Sequence, residues 1–247
     1  MTFYDRYING ETETVYADID KLGQDAFLSD NFADIEKVLT ETFERVAFNL
    51  DIIYQELLTI NYLFKSEFDF NFKKPLIKPL PDTDKLLMKL DKSLKPFGFV
   101  PLSLKIFYKV VGACNFAWDY DKNEDFIWTC ADPIQVTSLD DLVSEVTDKD
   151  NLLDLKDYFE EDGFVALELS ADYLHKDNIS GGQPYSLKLT DKPSIDGQLL
   201  YEENDTTFIN YLRICFDNCG FSRITNPDNN NDFQAFFDKL KPRLRKI

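Results

Sequence analysis

Apolar residues recur at spacings of four and three from Leu39 through Phe43, Val46, Leu50, Ile53, Leu57 and Ile60 to Phe64, which is the period of one helix face. Asn31 or Asp34 is the expected N-cap, and the helix should run roughly 40 Å at 1.5 Å per residue. Phe48, Ile52, Tyr54 and Leu58 widen the stripe beyond the narrow seam of a two-stranded coil. The pattern therefore predicts a helix laid on its own domain or on a second helix, with a dimer as the alternative. Before it, residues 1–30 are polar and acidic, with Phe3, Tyr4, Tyr7 and Tyr16 as anchors and no structure assigned.

Pro75, Pro79 and Pro81 interrupt regular structure and mark an internal joint. Asp82 or Thr83 caps a helix carrying Leu86, Leu87 and Leu90 that ends before Pro96. Pro101 suits a first helical position and Gly112 a left-handed stop. Between them Leu102, Ile106, Phe107, Val110 and Val111 form one apolar face. Cys114, Phe116 and Trp118 then alternate as a half-buried strand does. Phe126–Thr129 and Ile134–Val136 read as short strands, and residues 163–170 pair with 185–189 across Gly181-Gly182. Thr206 or Thr207 caps a helix with Phe208, Tyr211, Leu212 and Cys215 that stops at Gly220. Residues 226–232 are a loop, and Asp232 caps a last helix with Phe233, Phe236, Phe237 and Leu240. Lys239, Lys241, Arg243, Arg245 and Lys246 make the tail basic, as suits a helix C-terminus.

With 247 residues, 44% of them hydrophobic, 22 Phe and 12 Tyr, the chain has the means to bury a full core, which excludes a disordered protein. No apolar run approaches the roughly 20 residues of a membrane span, and residues 1–7 do not read as a signal peptide. A cytoplasmic protein is expected. Cys114, Cys130, Cys215 and Cys219 form no Cys-x-x-Cys pair and read as reduced, buried thiols, with Cys215 and Cys219 on one helix face. The formal charge of −18 would repel nucleic acid and anionic membranes. It implies a basic partner, or solubility alone. Ten acids against Lys149 and Lys156 lie in residues 139–162, a local charge of −8. Leu142, Val143, Leu152, Leu155, Tyr158 and Phe159 should tether that stretch to the core as helix or turn.

Asp119, Asp121, Asn123 and Asp125 begin like a calcium loop, but Glu124 occupies the sharp-turn glycine position and Cys130 that of the bidentate glutamate. An acidic hairpin loop is the better reading, and no metal site is expected. His175, the single histidine, lies close in sequence to Asp172, Asp177 and Ser180. A hydrolase built from these residues is a distant third reading behind a turn histidine, because no Gly-x-Ser-x-Gly elbow is present. Gly181-Gly182 reads as a tight turn. Trp118 and Trp128 read as buried strand aromatics, with interface anchors as the alternative.

With these residues in view, the segment from Pro101 onward resembles the SUKH superfamily, which includes bacterial immunity proteins and fungal cell-wall-synthesis regulators. Pro101-Leu102-x-Leu104-x-x-Phe107-Tyr108-x-x-Val111-Gly112, followed by Asn115-Phe116, is similar to its opening helix and glycine. Asp132-Pro133-Ile134-x-Val136 resembles its aspartate-proline strand. Ala171-Asp172-x-x-His175-Lys176-x-Asn178-x-Ser180-Gly181-Gly182-x-Pro184-Tyr185, Thr207-Phe208-x-x-Tyr211-Leu212-Arg213 and Gly220-Phe221 are similar to segments of bacterial relatives. The resemblance covers roughly residues 80–225, and residues 1–75 depart from the compact family core. It implies an α+β fold, a mixed and mostly antiparallel sheet flanked by helices, in one domain. Residues 1–79 would form a helical extension with the long N-terminal helix, and residues 80–247 the core.

The resemblance also implies binding without enzyme activity, catalytic residues or cofactor. The leading expectation is an immunity protein that neutralises a cognate, basic toxin domain through an acidic surface. Its contact candidates are Asp121, Glu124, Asp125, Asp140, Asp141, Asp148, Asp150, Glu160 and Glu161. The alternative is a regulatory scaffold that binds cellular proteins through the long helix, without a toxin partner. Either way the partner is a protein, not nucleic acid or membrane, and the chain is a monomer or dimer.

Overall fold

The computed structural model describes residues 1–65, 74–125, 128, 130–225 and 233–247. Apart from Trp128, the strand expected at 126–129 and the loop at 226–232, with its capping Asp232, lie outside those residues. Residues 3–27, whose polar and acidic sequence predicts no element, are helical: α1 (Phe3–Ile8), α2 (Thr12–Lys21) and a 3-10 turn at Gly23–Phe27. Thr2 and Asp5 start α1 with a capping box. Tyr7 is fully buried, and Phe3, Tyr4 and Tyr16 are half-buried against the core.

The long helix α3 spans Ser29–Thr59, about 45 Å, and so begins and ends earlier than expected. Neither expected cap caps it. The Asp34 carboxylate instead accepts the Phe3 amide at 2.6 Å, and Asn31 Nδ2 donates to the Asp25 carbonyl at 2.9 Å. Ile60 and Phe64 fall beyond its end. The seam Leu39, Phe43, Val46, Leu50, Ile53 and Leu57 is buried within the chain itself. Phe43 packs edge-on against Phe107 at 5.8 Å and stacks with Phe208 at 6.5 Å, locking α3 to α5 (Leu102–Val110) and α9 (Phe208–Asp217). Residues before and after position 79 therefore share one continuous apolar cluster.

The fold is α+β, and the described residues form two three-stranded antiparallel sheets in place of the expected single mixed one. β1 (Leu76–Ile77), β2 (Ala113–Asn115) and β3 (Gln135–Val136) form the first, in register Leu76↔Cys114 and Cys114↔Val136. The prolines thus frame an edge strand, where a missing N–H does no harm. β2 is buried on both sides, not half-buried. β4 (Ala166–Ser170), β5 (Tyr185–Lys188) and β6 (Leu199–Leu200) form the second sheet. A bond of 2.8 Å from the Thr137 amide to the Leu169 carbonyl joins the two.

The remaining helices are α4 (Thr83–Leu94), α6 (Leu139–Glu145), α7 (Lys149–Asp162), α8 (Tyr173–Lys176) and α10 (Phe233–Leu240). Trp118 and Trp128 are core residues, with Trp118 edge-on to Tyr62 at 5.0 Å and Trp128 edge-on to Phe221 at 5.1 Å. None of the four cysteines is in a disulfide, and burial pushes Cys114 and Cys219 up to about 12. Cys219 lies beyond the end of α9, so it shares no helix face with Cys215. Among the described residues no helix is long and apolar enough to cross a membrane.

Candidate functional site

The acidic stretch 139–162 forms α6 and α7, each set by its own caps. Ser138 Oγ accepts the Asp141 amide at 3.3 Å, and Asp148 accepts the amides of Asp150 and Asn151. Gly163 closes α7 in the left-handed region at φ +75°. Asp140 and Asp141 both take the Ser138 hydroxyl, at 2.6 and 2.7 Å. Three of the predicted contact residues, Asp140, Asp141 and Asp148, are thus engaged at helix starts.

The tethers differ between the two helices. Leu142 and Val143 of α6 are buried, whereas α7 buries no side chain fully. Its inner side rests on the half-buried Leu155 and on Phe159, whose ring meets Phe97 at 5.7 Å. Tyr158, expected as a tether, is 58% exposed, and Leu153 is 61% exposed. At 100° per residue Asp150, Asp154, Asp157 and Glu161 fall on one outward stripe, and all four are exposed. Leu153 and Tyr158 flank it. Glu160 lies at its edge, 3.6 Å from Lys156. Like charges at four-residue spacing destabilise a lone helix, so α7 holds a surface its own chain does not neutralise.

Asp121, Glu124 and Asp125 are exposed on the turn after Trp118. The antiparallel register carries the chain from β2 toward that turn and brings it back through β3 to Ser138. The two acidic stretches therefore sit at opposite ends of the β2–β3 ladder. Asp119 is nearly buried at the start of the turn, paired with Lys122 and accepting its amide at 3.2 Å. Among the described residues no three His, Cys, Asp or Glu side chains are placed to hold a metal ion.

Glu145 ends α6 and faces Glu168 of β4. Burial pushes Glu145 up to about 7, with the neighbouring Glu168 charge adding to it, and burial raises Glu168 as well. Between the ordinary value of 4.5 and about 7 the folded protein holds protons that the unfolded chain releases. Stability must therefore fall as pH rises through that window. Both side chains are only partly buried and keep contact with solvent, so screening holds the effect to about 1 kcal/mol or less. In melts from pH 4 to 8, Glu145→Gln is expected to flatten this decline and to gain most at pH 8; parallel curves would rule it out. Asp172 contributes in the opposite sense. Burial raises its carboxyl, but bonds from His175, Leu174 and Gly182 outweigh that and hold it low, so its contribution is lost only below the ordinary carboxylate range.

The motif residues singled out around His175 are brought together with Asp132. Lys176, 1% exposed, donates to Asp132 Oδ1 at 2.7 Å, and Asp132 Oδ2 accepts Ser222 Oγ at 2.6 Å and the Tyr185 hydroxyl at 3.1 Å. The Lys176 ammonium also lies over the Tyr185 ring at 4.7 Å. His175 points outward, its Nδ1 2.9 Å from Asp172 Oδ2. Asp172 caps α8 through the amides of Leu174 and His175. A side chain at Gly181 would strike both Asp172 oxygens. This is an Asp-His pair without a nucleophile: no hydroxyl or thiol among the described residues is hydrogen-bonded to the imidazole.

A cavity of about 470 Å³ lies between α2 and α9, lined by Tyr16, Asp196, Asn210 and Arg213. Asp196 serves the fold there, accepting Ser103 Oγ at 2.8 Å and the Ile209 amide at 3.1 Å. Sequence reading passed over this site because each residue is unremarkable in its own segment. Compared with protein-family models, curated proteins and solved structures, the chain finds no match.

Proposed function

We propose that the protein is a protein-binding module that docks a basic partner on the outward face of α7. The observation that carries the reading is the stripe Asp150, Asp154, Asp157 and Glu161, which makes no ion pair among the described residues, beside the exposed Leu153 and Tyr158. Opposite potentials speed encounter, and a few desolvated apolar contacts then slow release. The resemblance of residues 80–225 to the SUKH superfamily favours the narrower form, an immunity protein that covers the basic surface of a cognate toxin domain. A scaffold acting through the long helix finds less support, since the α3 seam is covered by the chain itself.

The test is the triple substitution Asp154→Lys, Asp157→Lys, Glu161→Lys, set against the unaltered protein in binding a partner purified by affinity capture. The expected result is association slowed about tenfold or more at low salt, with weaker salt dependence and native circular dichroism. An unchanged association rate in a folded variant removes α7 from the interface.

A further inference from the structure

Asn49 and Glu56 lie one heptad apart on α3 and are 0% and 5% exposed. A buried amide and a buried carboxylate destabilise the fold unless bonded. Asn49 is bonded by the C-terminal segment, and Glu56 by Arg243 of that segment together with Lys239 of α10 and the Thr59 hydroxyl. Asn49 Nδ2 donates to the Arg245 carbonyl and its Oδ1 accepts the Arg245 amide, each at 2.8 Å. The next two carbonyls are held as well: Lys246 O accepts Arg45 Nη1 and Ile247 O accepts Arg213 Nε, each at 3.0 Å. Three successive carbonyls are thus met by side chains of α3 and α9. Such contacts recognise an extended backbone whatever its sequence.

Charge supplies the selectivity. Arg243 meets Glu56 at 2.8 Å, Lys246 meets Glu13 at 2.9 Å, Lys241 meets Asp217 at 2.7 Å, and the Arg245 guanidinium lies 3.8 Å from the Phe48 ring centre. We propose that this groove, formed by α3 and α9 with Glu13 at its rim, is a binding site for an extended Lys/Arg-rich segment of another protein. Residues 241–247 are a strap that occupies it in cis, a 3-10 turn at Lys241–Arg243 leading through the extended Leu244 to the three held carbonyls. The strap's cationic side chains remain partly exposed in their pairs, so the pairs with Asp217 and Glu13 hold weakly and are screened by salt. Only Leu244 and Ile247 add apolar contact. The groove is separate from the α7 surface, and the proposal does not rest on it.

The probe is a fluorescent peptide with the sequence of residues 241–247, followed by anisotropy against the full chain. Arg243→Glu sets a like charge against Glu56, which loosens the strap and leaves the groove intact. It is expected to bind the peptide at least about tenfold tighter than the unaltered protein does, because the site is free more of the time. Adding Asn49→Ala should cancel the gain. Equal peptide binding by folded unaltered and Arg243→Glu proteins would overturn the proposal. If Arg243→Glu does not fold, hydrogen exchange on the unaltered chain decides. Residues 245–247 should then exchange faster than α3, and faster still at about 0.5 M salt; exchange in step with α3 at both salts overturns it. A dimer with exchanged straps, seen by light scattering, would assign the groove to a second copy and also overturn it.

Discussion

Lys176→Ala is expected to lower stability by about 3–5 kcal/mol, because it leaves Asp132 charged and buried without its ion partner. Against the 5–15 kcal/mol that holds a typical domain together, that is at least about a fifth of the total. The Asp132 carboxylate is 3% exposed as a side chain and keeps only the hydroxyls of Ser222 and Tyr185. The control is Lys176→Met with Asp132→Asn, which removes both charges and keeps at 132 a residue that tolerates the positive φ of +52° found there. Urea melts should show the pair of substitutions costing less than Lys176→Ala alone, at unchanged m. A loss under about 1 kcal/mol for Lys176→Ala would mean that the carboxylate finds water or another partner.

The second large effect is expected at Gly112, where alanine should cost about 3 kcal/mol or more through strain and overpacking. The residue sits at φ +98°, where a side chain is strained. A Cβ there would also meet the Ile77 carbonyl oxygen, with the Lys78 carbonyl carbon at 2.7 Å and the Pro79 nitrogen at 2.9 Å. All three are backbone atoms that cannot rotate away, so β1 must leave β2. Hydrogen exchange at the Asn115 amide, which donates to the Pro75 carbonyl at 2.8 Å, would report that loss. A Gly112→Ala protein with native protection at Asn115 and an unshifted melt would show that β1 shifts at little cost.

Legibility in the sequence followed the range of each interaction. The apolar seam of α3, the helix between Pro101 and Gly112, and the β4–β5 pairing were readable because each is written within a short window. The acidic stretch 139–162 was readable only as helix or turn, which left open that it forms two helices. How α7 sits was not: Tyr158 and Phe159 look alike in sequence, yet Phe159 finds Phe97 and Tyr158 faces solvent. β1 and β6 have two residues each, too few to show alternation. The basic tail suited a helix end by charge, and Lys239 lies in the last turn of α10, but the acids that Lys241, Arg243 and Lys246 meet on α9, α3 and α2 were not readable.

Local order, then, was set by the sequence through periodicity and capping: which residues turn into helix, where Gly112 and Gly163 stop them, and where the negative charge gathers. Tertiary structure decided the partners. Asp132 and Lys176 are 44 residues apart and Asn49 and Arg245 are 196 apart, and nothing in either segment names the other. Buried polar groups must be satisfied by whatever the packed chain brings within about 3 Å, and that proximity exists only once the helices have closed on their common core.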